Sequence, residues 1–407
     1  MYSAVVVKPK GNIFAVLDIA TTKVACFVVK VGSSTDYKVI GIGYKAAEGI
    51  SGGLITNIKR ASYSISSTIE LAEQVSEETI SQVYVNVSGC SLNSFNVFNE
   101  IISANHEISD RDIKRVVFQT YEKYIEDNVI IHNIPLKYHL DDMNDIKNVS
   151  GLHGSRLAAD VHVVTASRSA LLNIENCITS YSGVSMAGCI ASSYSSALSC
   201  LSDDEKDLGT VIIDIGGGYT SIGIFKKGKF IYANSIPIGG IHITRDIAHG
   251  LCTNMENAER IKILYGNTIL TSVDEDKPIV VPGDESIQVP RSEFVNIVRS
   301  RIEELFELVK EKLDKKNDLS NKVVITGGGS LLTSIKEVAS YILGRQVRIG
   351  CPVQVNGVDG EYNRNPVFSS AIGSIELIID TFYRNSNNTI KKGNKISKLF
   401  NWVQSKL

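Results

Sequence analysis

Apolar residues in this chain come in short blocks, alternating or unbroken, separated by polar turns. Ile13–Val31 reads as two strands around a turn, and Tyr37–Tyr44 as a third with alternating apolar positions. Ile58–Ser76 carries Ile58, Ile65, Ile69, Leu71 and Val75 at helical spacing, and Ile80–Val87 is again strand-like. Strands, a helix, then a strand predict a mixed α/β layer. The texture then changes. Ser91–His106 is polar, alternating and Asn-rich, and Ser109-Asp-Arg-Asp112 starts a helix ahead of Ile113, Val116, Val117 and Tyr121. Asn128–Tyr138 is a strand whose Pro135 points to an edge, and Val161–Ala166 is another. Residues 86–164 therefore read as an inserted subdomain.

Beyond the insert, Ser169–Ser182 predicts a helix ending at Gly183, and Ala191–Leu201 a second. Asp203–Asp207 reads as a solvated loop. Gly209–Phe225 opens a second strand block, with a hairpin at Lys226–Lys229. Ile243–Leu251 and Asn257–Leu264 predict helices, and Thr271–Val289 short strands. Arg291–Leu313 predicts a long amphipathic helix through Phe294, Val298, Ile302, Leu305 and Phe306. Lys322–Thr326 is a strand and Leu332–Leu343 a helix.

The chemistry lies at the turns. Asp18 closes the first strand ahead of Ala20, Thr21, Thr22 and Lys23; Asp214 closes a strand ahead of Gly216, Gly217, Gly218 and Thr220. Such turns present backbone N–H groups and short hydroxyls to phosphate, beside a carboxylate for a water or a metal. A third turn runs Thr326-Gly327-Gly328-Gly329. One turn alone is equally a tight β-turn with no ligand. Two in register predict a duplicated nucleotide-binding core. Glu259 and Lys262 lie three apart on a helix and share a face. They form either a surface ion pair or a hold on ribose hydroxyls.

The C-terminal stretch is a second signal. No acid follows Asp380, and residues 384–394 are polar and Asn-rich, the composition of a flexible linker. In 395–407, Ile396, Leu399, Phe400, Val403 and Leu407 share one helical face, Trp402 flanks it, and lysines border the other side. That pattern fits a helix lying in a membrane interface, or one docked on the protein's own core. Each Lys near an anionic leaflet adds about 1 kcal/mol.

Bulk numbers narrow the classes. The chain has 407 residues and a net charge of −2, so nothing global favours nucleic acid. Its seven cysteines include no C-x-x-C pair, which argues against zinc or a disulfide framework and for a reducing, cytoplasmic compartment. No catalytic triad, metal cluster or paired acid and base is apparent.

These residues carry a resemblance. The two Asp turns, the Thr326–Gly329 turn and the Glu-x-x-Lys helix resemble the actin/Hsp70/sugar-kinase ATPase fold. Gly151-Leu-His-Gly-Ser-Arg156, Asp160–Thr165, Ala191-Ser-Ser-Tyr194, Ile236-Pro-Ile-Gly-Gly240, Ile243–Ala248, Val347-Arg-Ile-Gly350 and the Trp-bearing tail make the chain similar to the FtsA family of bacterial cell-division actin homologues. The resemblance implies an α/β fold with a duplicated actin-like ATPase core. Residues 1–85 with 165–200 form one half and 201–250 with 310–383 the other; 86–164 is the insert and 251–309 a small subdomain. ATP and Mg2+ are expected in the central cleft. Asp18, Thr21, Thr22, Lys23, Asp214, Gly216–Gly218, Thr220, Glu259, Lys262 and Gly327–Gly329 would hold the nucleotide. Asp18 and Asp214 would reach the metal through water. The C-terminal peptide of the tubulin-like FtsZ is expected on the small subdomain, with Arg291, Arg301 and Glu304 as candidate contacts. Head-to-tail self-association and attachment to anionic inner-membrane lipid through the tail are also implied. The chain departs from the family at Ala20 (usually Gly), Tyr219 (usually Thr) and Ser221 (usually Asp). A lost carboxylate and a bulky ring predict ATP binding with very slow or absent hydrolysis. Two rivals share the fold: a PilM-type pilus-assembly component, which needs no membrane helix, and a sugar or acetate-type kinase, which needs a general base.

Overall fold

The computed structural model describes residues 7–32, 36–89, 92–119, 127–270, 278–281, 284–316 and 320–384. The tail and nearly all of the linker lie outside them. The first half begins with β1 (Ile13–Ile19), β2 (Lys23–Val31) and β3 (Tyr37–Ala46). A small hairpin, β4 (Ile50–Ser51) and β5 (Leu54–Ile55), leads into α1 (Ile58–Ser76) and β6 (Gln82–Val87). α1 starts where the Asn57 side chain accepts from the Arg60 N–H, and its apolar face packs onto the sheet. β1 and β2 are buried almost throughout, which is why they read as apolar runs rather than alternating strands.

The insert follows as β7 (Leu92–Glu107), α2 (Asp110–Phe118), β8 (Asn128–Leu140), β9 (Met143–Ile146) and β10 (His153–Ser167). Its sheet has the order β7-β10-β8-β9. Pro135 sits opposite Val161 at a register shift, on a stretch of β8 that β9 does not reach, so its missing N–H costs no ladder bond. α3 (Arg168–Ser182), β11 (Ser185–Ala191), α4 (Ser192–Cys200) and α5 (Asp203–Leu208) return to the first half. α5 corrects the loop expected at Asp203–Asp207. Ser202 and Glu205 form a capping box, three acids sit in the first turn, and Arg348 holds Glu205 at 2.6 and 2.8 Å.

The second half comprises β12 (Thr210–Ile215), β13 (Thr220–Lys226), β14 (Lys229–Ile236), α6 (Gly240–Gly250) and α7 (Met255–Tyr265). It continues with β15 (Ile279–Val281), β16 (Asp284–Val289), α8 (Arg291–Asp314), β17 (Lys322–Thr326), α9 (Ile335–Leu343), β18 (Gln346–Ile349) and α10 (Ser369–Ile379). The sheet orders β11-β6-β1-β2-β3 and β18-β17-β12-β13-β14 are the same topology. In each, the Asp strand is antiparallel to the strand after it and parallel to the fourth strand. The duplication is thus a property of strand pairing as well as of motif.

One element departs from the expected division of the chain. α10 belongs by number to 310–383, the stretch assigned to the second half. Its Ile372, Ile375, Ile378 and Ile379 bury instead among Phe14, Val16, Phe27 and Tyr84 of the first sheet. The chain crosses back after β18, where Val39 N–H donates to Asn356 O at 2.8 Å.

Candidate functional site

A cleft of about 700 Å³ separates the two sheets, and both Asp turns open onto it. Asp18 ends β1 and is buried against Lys23, whose Nζ lies 2.8 Å from Oδ2. Lys23 also donates to Val367 O and sits 4.6 Å above the Phe368 ring. Ser370, at the start of α10, donates to Asp18 Oδ2 at 3.3 Å. Asp214 mirrors this arrangement from β12, accepting from Ser196 of α4 at 2.5 Å. Burial pushes the Asp214 carboxyl up to about 6. The Asp18 charge adds to the rise, while the Ser196 hydrogen bond and Lys23 oppose it.

The glycine turn after Asp214 is docked on α6. Gly240 N–H donates to Gly216 O at 2.9 Å and Ile241 N–H to Gly217 O at 2.8 Å. Across the cleft the turn meets the first one: a Cβ on Gly217 would lie 2.7 Å from the Thr22 methyl, and one on Gly218 would strike Thr21 Oγ1. The third turn closes the floor. Gly327 has φ +83 and passes so near Asp214 Oδ1 that no side chain fits there. Gly328 and Gly329 also line the cleft.

Glu259 and Lys262 reach the cleft from α7 as a preformed pair at 2.7 Å. Thr244 donates to Glu259 at 2.5 Å, and Lys262 donates to Gly240 O at 3.1 Å. The far wall is apolar: Ile263, Leu264 and Leu331 are exposed there, beside Tyr265.

Two expectations need correction. Thr220 does not offer its hydroxyl to the cleft. It is fully buried and donates to Ile238 O at 2.8 Å. Strand alternation turns the next residue, Ser221, inward, opposite Asp214 in register and 3.1 Å from Ser192 Oγ. Arg291, Arg301 and Glu304 do not form one surface either. Arg291 opens α8 at the cleft, its guanidinium 5.6 Å from the Tyr265 ring centroid. Arg301 and Glu304 lie three turns on, in a separate groove of about 350 Å³ between α6 and α8. There Arg301 grips Asp246 at 2.6 and 2.9 Å and bonds Glu304. The six tail positions Ile396, Leu399, Phe400, Trp402, Val403 and Leu407 lie outside the described residues. Among those residues, no helix is long and apolar enough to cross a membrane.

Sequence reasoning missed Ser196, Ser370 and Ser192, the hydroxyls that orient or border the two carboxylates. Their only signal was the serine density of 192–199 and 369–374.

Comparisons agree with this architecture. A family model described as "Cell division protein FtsA" matches residues 211–373, and one described as "SHS2 domain inserted in FTSA" matches residues 89–165. The cell division protein FtsA of Agrobacterium fabrum is 35% identical over 384 residues, covering 89% of this chain and 86% of that protein. That of Borreliella burgdorferi is 32% identical over 97% of each. That of Escherichia coli is 28% identical, over 95% of this chain and 96% of that protein. Among solved structures, a PilM–PilN type IV pilus biogenesis complex aligns with a TM-score of 0.66 at 16% identity, covering 91% of this chain and 99% of that one. MreB5 of Spiroplasma citri bound to ADP aligns at 0.54 and 14%, covering 94% and 99%. At such identities these two show the fold alone.

Proposed function

The chain belongs to the FtsA family of actin-like cell-division proteins, and on that footing we propose that it is an ATP-binding adaptor tethering FtsZ filaments to the inner membrane. The observation that carries the nucleotide part is the cleft: two Asp turns, one from each copy of a duplicated sheet, face one cavity with a paired Glu and Lys on its wall. The phosphates would sit on the cleft side of the Thr21–Thr22 and Gly216–Gly218 turns, the ribose near Glu259 and Lys262, and the base against the apolar wall. Mg2+ suits the donor set, since the hard carboxylate oxygens of Asp18 and Asp214 would hold its bound water. The ion would neutralise phosphate charge. Asp18 is already held by Lys23 and Ser370, and Asp214 by Ser196, so both carboxylates are oriented before any ligand arrives. Ser221, opposite Asp214 in register, supplies a hydroxyl where the family usually has a carboxylate to draw a proton from water, which supports slow or absent hydrolysis.

The adaptor part assigns the α6–α8 groove to the FtsZ C-terminal peptide, with Arg301 and Glu304 as contacts. The tail is assigned to anionic lipid at the cytoplasmic face of the division site. One amphipathic helix is a weak anchor, so self-association into a polymer would supply the avidity. The test is co-sedimentation with vesicles containing anionic lipid, comparing the full chain with one ending at Asn394, each with and without ATP and Mg2+. The expected result is that only the full chain pellets, and more of it with nucleotide. If both forms stay in the supernatant, the tether is refuted. If both pellet alike, the anchor lies outside the tail.

A further inference from the structure

Tyr219 belongs to the second half, yet its ring rests in a cup made by the first. A Cβ built on Gly52 would lie 3.2 Å from the ring, one on Gly89 3.4 Å, and one on Gly53 3.5 Å. Gly52 and Gly53 form the turn between β4 and β5, and Gly89 follows β6. All three have positive φ, at +55, +68 and +98, so each turn needs glycine for its backbone, and the absent side chains leave a flat floor one ring wide. The hairpin is tied in turn to the first Asp turn, where Gly53 N–H donates to Thr21 Oγ1 at 3.1 Å. Thr21 is the side chain against which Gly218 packs. A closed circuit results: Tyr219, the hairpin, Thr21, Gly218, and back to Tyr219 through the backbone. It bridges the halves at the end of the cleft where the two turns meet.

We propose that Tyr219 is a clasp that holds the two halves together at this end of the cleft and positions Thr21. The inference rests on the nucleotide reading above only for its consequence, which is slow release of bound nucleotide. The ring carries the function, because Cδ2 and Cε2 are the atoms the three glycines meet most closely. A small β-branched or hydroxyl side chain at 219 does not reach the cup.

The test uses the full chain with Tyr219→Thr and Tyr219→Phe. Hydrogen exchange without nucleotide reads the clasp directly. Tyr219→Thr is expected to speed exchange in a peptide spanning Gly52–Gly53 about tenfold or more, while a peptide from the β10 core stays unchanged. Tyr219→Phe, which keeps the ring against Gly52, Gly53 and Gly89, exchanges more slowly there than Tyr219→Thr. Unchanged exchange at Gly52–Gly53 in Tyr219→Thr overturns the proposal. Faster exchange everywhere also overturns it, since the residue is then merely structural. Stopped-flow release of a fluorescent ATP analogue reads the consequence, with an expected acceleration of about tenfold in Tyr219→Thr and a smaller one in Tyr219→Phe. Failure of the wild type to bind the analogue, with the exchange result intact, refutes the nucleotide reading and leaves the clasp standing.

Discussion

Gly373→Ala separates a local from a tertiary account of stability, because the two predict opposite signs. Gly373 lies inside α10, where glycine is about 1 kcal/mol less favourable than alanine. Helix propensity alone therefore predicts a more stable protein. The packing predicts the reverse. A Cβ at 373 would stand 1.7 Å from Ser195 O and 2.3 Å from Ser195 C, both backbone atoms of α4. Ordinary contact begins near 3.4 Å, so α4 and α10 would have to part by well over an ångström. The Asn86 amide spans this crossing, its two N–H groups shared among Ser195 Oγ at 2.9 Å and Ser370 O and Ser374 Oγ at 3.0 Å. Ser199 adds one to Ser369 O at 2.7 Å.

Overpacking costs about 1–3 kcal/mol, and two or three lost bonds add about 1 kcal/mol each. Less the helix gain, the net is a loss of roughly 2–5 kcal/mol. The same displacement reaches the cleft, since Ser196 and Ser370 are the hydroxyls on Asp214 and Asp18. Urea unfolding of the full chain would show an earlier first transition, and titration with ATP and Mg2+ a weaker affinity. Leu157→Ala in the core of the insert serves as a control of similar stability loss and should spare that affinity. A midpoint for Gly373→Ala equal to or above the wild type refutes the reasoning.

Lys23→Met leaves the buried Asp18 without its cation and should cost about 3 kcal/mol, with Lys23→Met/Asp18→Asn recovering part; thermal unfolding of the three proteins checks this. Arg291→Ala should weaken nucleotide binding about tenfold while leaving FtsZ-peptide affinity unchanged. Arg301→Ala should do the opposite, because it leaves Asp246 and Glu304 uncompensated in the groove; calorimetry with each ligand decides. Burial, aided by the neighbouring His162, lowers the His132 pKa to about 3, and burial with Lys316 lowers that of His162 to about 4. Their folded values lie below the unfolded value of about 6.5, so the stability they contribute is complete above that pH and is lost as pH falls toward 4. By pH 5 the loss is about 2 kcal/mol per residue. His132 accepts from Ala191 N–H at 2.9 Å and His162 packs on Phe230, so acid should loosen the insert first, with faster hydrogen exchange in β8 and β10 at pH 5 after correction for intrinsic rates.

Strand blocks, the long α8 and the two Asp turns are legible in sequence because each depends on local pattern: apolar period, and an Asp ending a strand ahead of small residues at a tight turn. What local pattern does not carry is which face a residue shows and where a segment docks. Thr220 and Ser221 are adjacent hydroxyls of one strand, and only register decides that Ser221 faces the cleft. Arg291 and Arg301 share a helix ten residues apart, and the local path of the chain sends one to the cleft and the other to a groove. The acids of α5 read as a solvated loop, since the Arg348 that holds Glu205 of its capping box is distant in sequence. α10 was missed because its small residues, Ser369, Ser370, Ala371, Gly373 and Ser374, serve helix crossing rather than amphipathic contrast.

That crossing fixes where the tail leaves the core. α10 starts at the cleft, with Ser370 on Asp18, and its continuation brings Tyr383 onto Phe14 and within 3.1 Å of Gly11 O. The chain beyond Arg384 thus departs from the first half, whereas the α6–α8 groove belongs to the second. Residues 385–394 reach at most about 35 Å even when fully extended. If the tail lies on a bilayer, the first half is held close to it, and any opening of the cleft swings the groove relative to the membrane. Lengthening the linker by about twenty Gly/Ser residues should preserve vesicle binding, since the amphipathic face is intact. It should also abolish any nucleotide dependence of the distance from groove to membrane, read by energy transfer between a dye at Ser300 and an acceptor lipid. A nucleotide-dependent distance that survives the longer linker would show that something other than chain length orients the core.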